Sequence, residues 1–230
     1  MPGRRRTPTA TRSTTSSRQR VRRRDVSATA ETLEPEIPYT VEPHPVTGVY
    51  NGKLGMWTFL ASEVMLFGGL FSAYVLLRVG AAEWDVTPLH ASVLFAAVNT
   101  AVLIFSSVAV VMAWAHSKMG EKGKARMWLL VTIACASVFM VIKFFEYGHH
   151  IGAGEVPSHS NVFGIYFTVT GLHGLHVLGG MLVAAYLAGP GAKLFDRNPA
   201  WYTNRLETFG LYWHFVDLVW IFLFPSLYLL

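Results

Sequence analysis

The stretch Leu54–Tyr74, LGMWTFLASEVMLFGGLFSAY, is long and apolar enough to cross a bilayer, yet it carries one carboxylate, Glu63. An α-helix needs about 20 predominantly apolar residues to cross roughly 30 Å of hydrocarbon. An ionisable group inside such a run is costly and is normally turned toward a partner, a cavity or another subunit. The stretch therefore reads as a transmembrane helix, and Glu63 as the first position to which a function attaches.

The rest of the chain has the same character. Of 230 residues 52% are hydrophobic, 13% aromatic and only 14% charged, and the mean hydropathy is +0.37. That composition excludes an ordinary soluble domain. The net charge of +5 does not describe a basic folded face, because Arg4, Arg5, Arg6, Arg12, Arg18, Arg20, Arg22, Arg23 and Arg24 all precede the apolar part. A nucleic-acid-binding surface is therefore not expected. Cys135 is the only cysteine and lies within an apolar run, which excludes an intrachain disulfide and a cysteine-based metal cluster.

Residues 1–50 form a tail, basic and Ser/Thr-rich up to about residue 24, then acidic and proline-rich, and neither half can build a core. Arg and Ser without acids is also the composition of an organelle transit peptide, but the tail is read as solvated and cytoplasmic. No apolar segment follows Arg22–Arg24 for some thirty residues, so a secretory signal is not expected.

From residue 51 on, the sequence predicts an all-α membrane bundle of five transmembrane helices, at about 54–79, 90–115, 127–148, 162–187 and 207–230. Lys118, Lys122, Lys124 and Arg126 lie in one connection and Lys193, Arg197 and Arg205 in another, whereas 80–89 and 149–161 hold neither Lys nor Arg. The excess of positive charge on cytoplasmic loops then places the N-terminus inside and the C-terminus outside.

Polar residues within the spans supply the candidate sites. Ser92, Asn99 and Ser106 are seven apart, with Ala96 and Ala113 near the same line, and form a small hydrogen-bonding face suited to helix packing. Lys143 stands one turn from Glu146 and Tyr147, which reads as an ion pair at the outer interface. Glu146-x-x-His149 has the spacing found in di-iron bundles, but that class needs a second copy and none is present. His173 and His176 share a face of the fourth span, as do Glu207, His214 and Asp217 in the fifth. At about 1.5 Å per residue, Glu63, His173, His214 and Asp217 fall in one layer of the membrane, so Glu63 is expected to meet His173 or His214. That layer supports two readings: a Glu–His network locking helices together, or a haem held by His173 and His214. No phosphate loop, dinucleotide fingerprint or nucleophile elbow is present.

Five strings in register, GKLGMWTFLASEVMLFGGLFSAY, LFAAVNTAVLIFSS, KFFEYGHHI, TGLHGLHVLGG and ETFGLYWHFVDLVWIFLFPSLYLL, closely resemble subunit III of the haem-copper terminal oxidases. The resemblance covers about residues 46–230 and is to the bacterial five-helix form. It implies a non-catalytic subunit that binds no haem or copper itself, assembles with subunits I and II, contacts structural phospholipid, and stabilises subunit I while supporting lipid and oxygen access. It implies that Glu63 is the family's buried carboxylate, with no metal ligand in the chain. His173, His176, His214, Asp217, Glu146 and Asn99 would then form an intramembrane polar network or a lipid or subunit I interface. The setting implied is a bacterial inner membrane rather than a mitochondrial one. Cytochrome c oxidase is the member expected; a quinol oxidase subunit III or a nitric oxide reductase accessory protein remain alternatives.

Overall fold

The computed structural model describes residues 48–229, except Ala91 and His159. The tail expected over 1–50 thus lies outside the described residues, apart from its last three. The described chain is helical throughout: α1 (Asn51–Gly80), the single turn α2 (Thr87–His90), α3 (Val93–Lys118), α4 (Lys122–Gly152), α5 (Asn161–Ala188), the short α6 (Lys193–Arg197) and α7 (Pro199–Phe224), which widens into a π-helical turn at Pro225–Leu229. Five of these helices are long and apolar enough to cross a membrane.

Most helix ends extend beyond the apolar runs that announce them, because capping and packing outlast hydropathy at the ends; α3 instead starts at Val93, inside the run expected from about residue 90. The largest difference is in α7, which starts at Pro199 rather than near 207. Asn198 accepts a hydrogen bond from the Trp201 amide at 3.0 Å and proline occupies the first turn, a strong start signal. Tyr202, Thr203 and Leu206 are already buried in this polar stretch.

Two helices end in the same way. Gly120 (φ 81°) and Gly154 (φ 82°) stand just past α3 and α4 in the left-handed conformation that glycine adopts without strain. The next amides, Glu121 and Glu155, bond back to the carbonyls of His116 and His150, each at 2.9 Å, closing Schellman turns. Each glutamate then reaches the ring of the same histidine, at 2.6 Å for His116 and 2.5 Å for His150. The signal His-x-x-x-Gly-Glu thus stops one helix at each end of the bundle. Lys124 and His116 together hold the exposed Glu121 carboxyl below its ordinary range.

Helices α3, α4, α5 and α7 form a closed four-helix ring, with contacts α3–α4, α4–α5, α5–α7 and α7–α3. Along α3 the buried positions run Ser92 (its N-cap), Ala96, Asn99, Leu103, Ser106, Val110, Ala113 and Ser117, with Ala109 buried beside this line, and on α4 they run Ala125, Leu129, Thr132, Ala136, Phe139, Lys143, Glu146, His150. Both follow alternating steps of four and three, the seam of a left-handed helix pair. The small residues of α3 admit the large ones of α7: the indole N–H of Trp213 donates to Ser106 and that of Trp220 to Thr100, each at 2.9 Å. The expectation of a small packing face on α3 thus holds, although both amide atoms of Asn99 lack a hydrogen-bond partner among the described residues.

Helix α1 lies outside the ring against α5 and α7, and only Phe67 and Tyr74 on it are buried. Polar contacts hold it at three levels. Lys53 donates to Glu207 at 2.6 Å and Tyr50 meets Thr208 at 2.7 Å; Glu63 meets α5 in the middle; and Tyr74 donates to the Ser226 carbonyl at the far end.

Ring closure is tightest at Gly180, where an added Cβ would stand 2.6 Å from Trp213 Cζ3 and 3.0 Å from Tyr212 Cε1. Gly180→Ala is therefore expected to destabilise the chain by about 1–3 kcal/mol. Gly148→Ala, with nothing within 4 Å, should be neutral or slightly stabilising. Thermal unfolding in detergent compares the two directly.

Candidate functional site

Glu63 is half-buried on the face of α1 turned to α5, and its Oε2 lies 3.0 Å from His176 Nε2. The other ring nitrogen, Nδ1, donates to the Leu172 carbonyl at 2.8 Å. That bond fixes the tautomer, since a carbonyl can only accept. Nε2 must then either accept a proton from a neutral Glu63 or donate one to the carboxylate, so the contact holds a single shared proton. The buried Phe67 packs edge-on against the imidazole at 5.3 Å and against Phe215 of α7 at 6.3 Å.

The partner differs from the one expected. His173, one turn away from His176, faces the centre of the ring instead, between Phe139 (5.6 Å) and Trp220 (5.2 Å). It is fully buried and neither ring nitrogen has a hydrogen-bond partner among the described residues. His214 meets Ser107 Oγ on α3 at 2.5 Å. Depth counting gives a layer but not the rotation of each helix, and α1 docks on the outer side of α5, where His176 points. The two histidines of the haem reading therefore sit in separate surroundings. Asp217 is buried near Ser107, and among the described residues neither carboxylate oxygen has a partner in hydrogen-bonding geometry.

A second polar centre lies inside the ring. Lys143 and Glu146 pair at 3.1 Å with side-chain exposures of 7% and 2%, so the expected ion pair forms and is enclosed by the helices. Glu146 Oε1 accepts from the phenols of Tyr166 (2.7 Å) and Tyr228 (2.6 Å), and Lys143 donates to Tyr228 at 2.5 Å. The ammonium also sits over four rings, with Trp220 closest at 4.9 Å, then Tyr228, Tyr166 and Tyr147. Cation–π attraction of this kind strengthens on desolvation. The one-turn spacing identifies the Lys143–Glu146 pair in the sequence, but Tyr228 stands 82 residues away from Glu146 and carries no local signal. His149 is exposed and does not join Glu146 in a metal site; among the described residues no group of three or more His, Cys, Asp or Glu is placed to hold a metal ion.

Chemically, the Glu63–His176 contact can hold and pass a proton, while the Lys143 cage is a fixed charge pair in which Glu146 Oε2 has its ion contact with Lys143 and no hydrogen bond among the described residues. Lys143→Met alone should cost about 3–5 kcal/mol, because it leaves the Glu146 charge buried without a counter-ion. Adding Glu146→Leu should recover most of that loss, with the two phenols, 3.4 Å apart, left to bond each other. A double-mutant cycle of unfolding midpoints measures the coupling.

Residues 40–230 match the family model described as Cytochrome c oxidase subunit III. The chain is 33% identical over 185 residues to the cytochrome bo(3) ubiquinol oxidase subunit 3 of Pseudomonas aeruginosa, covering 78% of this chain and 85% of the relative. It is 35% identical over 182 residues to the cytochrome c oxidase subunit 3 of Thermostichus vulcanus (77% and 86%). It is 33% identical over 195 residues to that of Bacillus subtilis (84% and 93%).

Proposed function

We propose a role for this chain from the premise that it belongs to the cytochrome c oxidase subunit III family. It is a membrane subunit of a haem-copper oxidase and works within a complex of oxidase subunits. Within that complex we assign it no catalytic centre of its own: haem and copper reside in subunits I and II, and this chain stabilises subunit I and supports lipid and oxygen access to it. The N-terminus is cytoplasmic and the setting is a bacterial inner membrane, a reading that rests on the basic connections Lys118–Arg126 and Lys193–Arg205.

The observation that carries the reading is the continuity of the family match across all five long helices. Beside it stands a site chemistry with a single shared proton at Glu63–His176. The donor is assigned as cytochrome c. The likeness to the bo(3) ubiquinol oxidase subunit 3 favours quinol as the second reading.

Purification through this chain should bring down a large haem-bearing subunit, and the donor that the complex oxidises decides between the two readings. The chain expressed alone should give no stoichiometric Soret band. Such a band would overturn the assignment.

Glu63 serves the assembled complex, not the chemistry, so Glu63→Gln should leave the initial rate of oxygen consumption within about twofold while shortening activity under sustained turnover. His176→Phe, which removes the same contact from the other side, should behave alike. Oxygen-electrode traces over many turnovers measure both, and immediate loss of activity in a normally assembled complex would count against this role.

A further inference from the structure

Near its middle, α1 meets the ring through a polar contact, Glu63 Oε2 to His176 Nε2 at 3.0 Å, with side-chain exposures of 13% and 14%. The other ring nitrogen, Nδ1, is committed to the Leu172 carbonyl. With that tautomer fixed, the contact needs one proton between Oε2 and Nε2, because an ionised carboxylate and an unprotonated ring nitrogen both only accept. Without that proton, two sets of lone pairs face each other at hydrogen-bonding distance.

The charged groups around the pair are engaged elsewhere or stand far off. On α1 the cations are Lys53 and Arg78, roughly 15 and 22 Å from Glu63 along the helix. Helix α5 holds no Lys or Arg, and its His173 is turned into the ring between Phe139 and Trp220. On α7, Tyr212 donates to the His176 carbonyl at 2.8 Å, which ties the backbone and leaves the shared proton alone. Of the other groups on α7, Glu207 is met by Lys53, His214 by Ser107 of α3, Arg205 lies over Trp201, and Asp217 is buried near Ser107. Lys143 and Glu146 pair with each other inside the ring.

Apolar packing holds this part of α1 only lightly. Phe67 and Tyr74 are its buried side chains, and of the two Phe67, against His176 and Phe215, belongs to the middle. The contacts of Lys53 with Glu207, Tyr50 with Thr208 and Tyr74 with the Ser226 carbonyl are at the ends. The ring closes without α1, through bonds such as Trp213 to Ser106 and Trp220 to Thr100. The middle of α1 can therefore leave the ring without unfolding it.

We propose that Glu63 and His176 form a proton-dependent latch: the middle of α1 rests on α5 while the pair holds its shared proton, and moves away from α5 when that proton is lost. Proton release and helix release are one event. An ionised Glu63 facing an unprotonated ring nitrogen is costly where it stands, and it gains a donor or water only by turning out. Acid thus keeps α1 docked and alkali frees it. The device lies within this chain and goes beyond the oxidase role.

The test places nitroxide labels on the exposed Met65→Cys of α1 and Leu182→Cys of α5, in a Cys135→Ser background. Double electron–electron resonance on the complex purified through this chain, in nanodiscs, reads the interhelical distance from about pH 6 to about pH 9, a range that spans imidazole titration. The distance should be narrow in acid and lengthen by several ångströms in alkali. In His176→Gln the side-chain amide offers both a donor and an acceptor, so it bonds Glu63 in either protonation state, and the distance should stay narrow throughout. Glu63→Leu, with no group to ionise, should give one distance at both ends of the range, and it decides the matter where His176→Gln fails to assemble. A reference pair on the ring, Val141→Cys with Leu182→Cys, should not move. An unchanged distance in the parent overturns the proposal, as does a variant that loosens as the parent does, or a reference pair that moves with it. Distances within one chain are read whichever haem subunit co-purifies, so failure here and failure of the oxidase assignment are told apart.

Discussion

A carboxylate buried among helices is tolerable only when everything around it donates, and Glu146 is the point where that demand shapes the bundle. Its charge is met by Lys143 from the same helix, by Tyr166 from α5 and by Tyr228 from the turn after α7. Removing two charges from water costs several kcal/mol each, and only good geometry with extra hydrogen bonds offsets it. The cage therefore acts as a register mark: α4, α5 and the C-terminal turn can satisfy it in one relative position. The π-helical turn at Pro225–Leu229 fits this demand, because it sets Tyr228 where both Glu146 and Lys143 reach its hydroxyl.

The contrast with α1 is physical. In hydrocarbon there is no hydrophobic drive to bring helices together, so association rests on close packing and interhelical hydrogen bonds. The ring α3–α4–α5–α7 has both, with small residues on α3 receiving the indoles of α7. Helix α1 buries only two side chains and relies on three polar tethers, the middle one being Glu63–His176. Such a helix is held in place mainly by a handful of contacts of modest strength, and one of them depends on a single shared proton. A carboxylate in that position is better understood as a latch between α1 and the ring than as an acid in a reaction.

How far the sequence discloses this depends on the kind of information each feature needs. Five spans and their approximate limits follow from hydropathy and the alternation of basic connections, since both are local. The Lys143–Glu146 pair follows from one-turn spacing for the same reason. The partner of Glu63 does not, because it depends on the azimuth of α5 relative to α1, and three residues along a helix turn a side chain from the outer face to the core: His176 faces Glu63 while His173 lies between Phe139 and Trp220. The early start of α7 was concealed by Thr203, Asn204, Arg205 and Glu207, polar residues that hydropathy counts against a span. The Asn198-Pro199 start signal was nevertheless present. The paired His-x-x-x-Gly-Glu stops were legible too, though only to a reader looking for helix ends rather than for repeats of whole spans.

The relatives sharpen what such a chain is constrained to do. Subunits named for a ubiquinol oxidase and for cytochrome c oxidases resemble it to nearly the same degree, 33% and 33–35% identity over most of their lengths. What the two kinds of relative share by name is the place of a subunit 3 in an oxidase, so the constraint they have in common is on the subunit's own fold. The features that stand out in this chain are of that shared kind: a caged ion pair that sets helix register, a heptad seam of small residues, and a carboxylate that latches the outer helix to the ring.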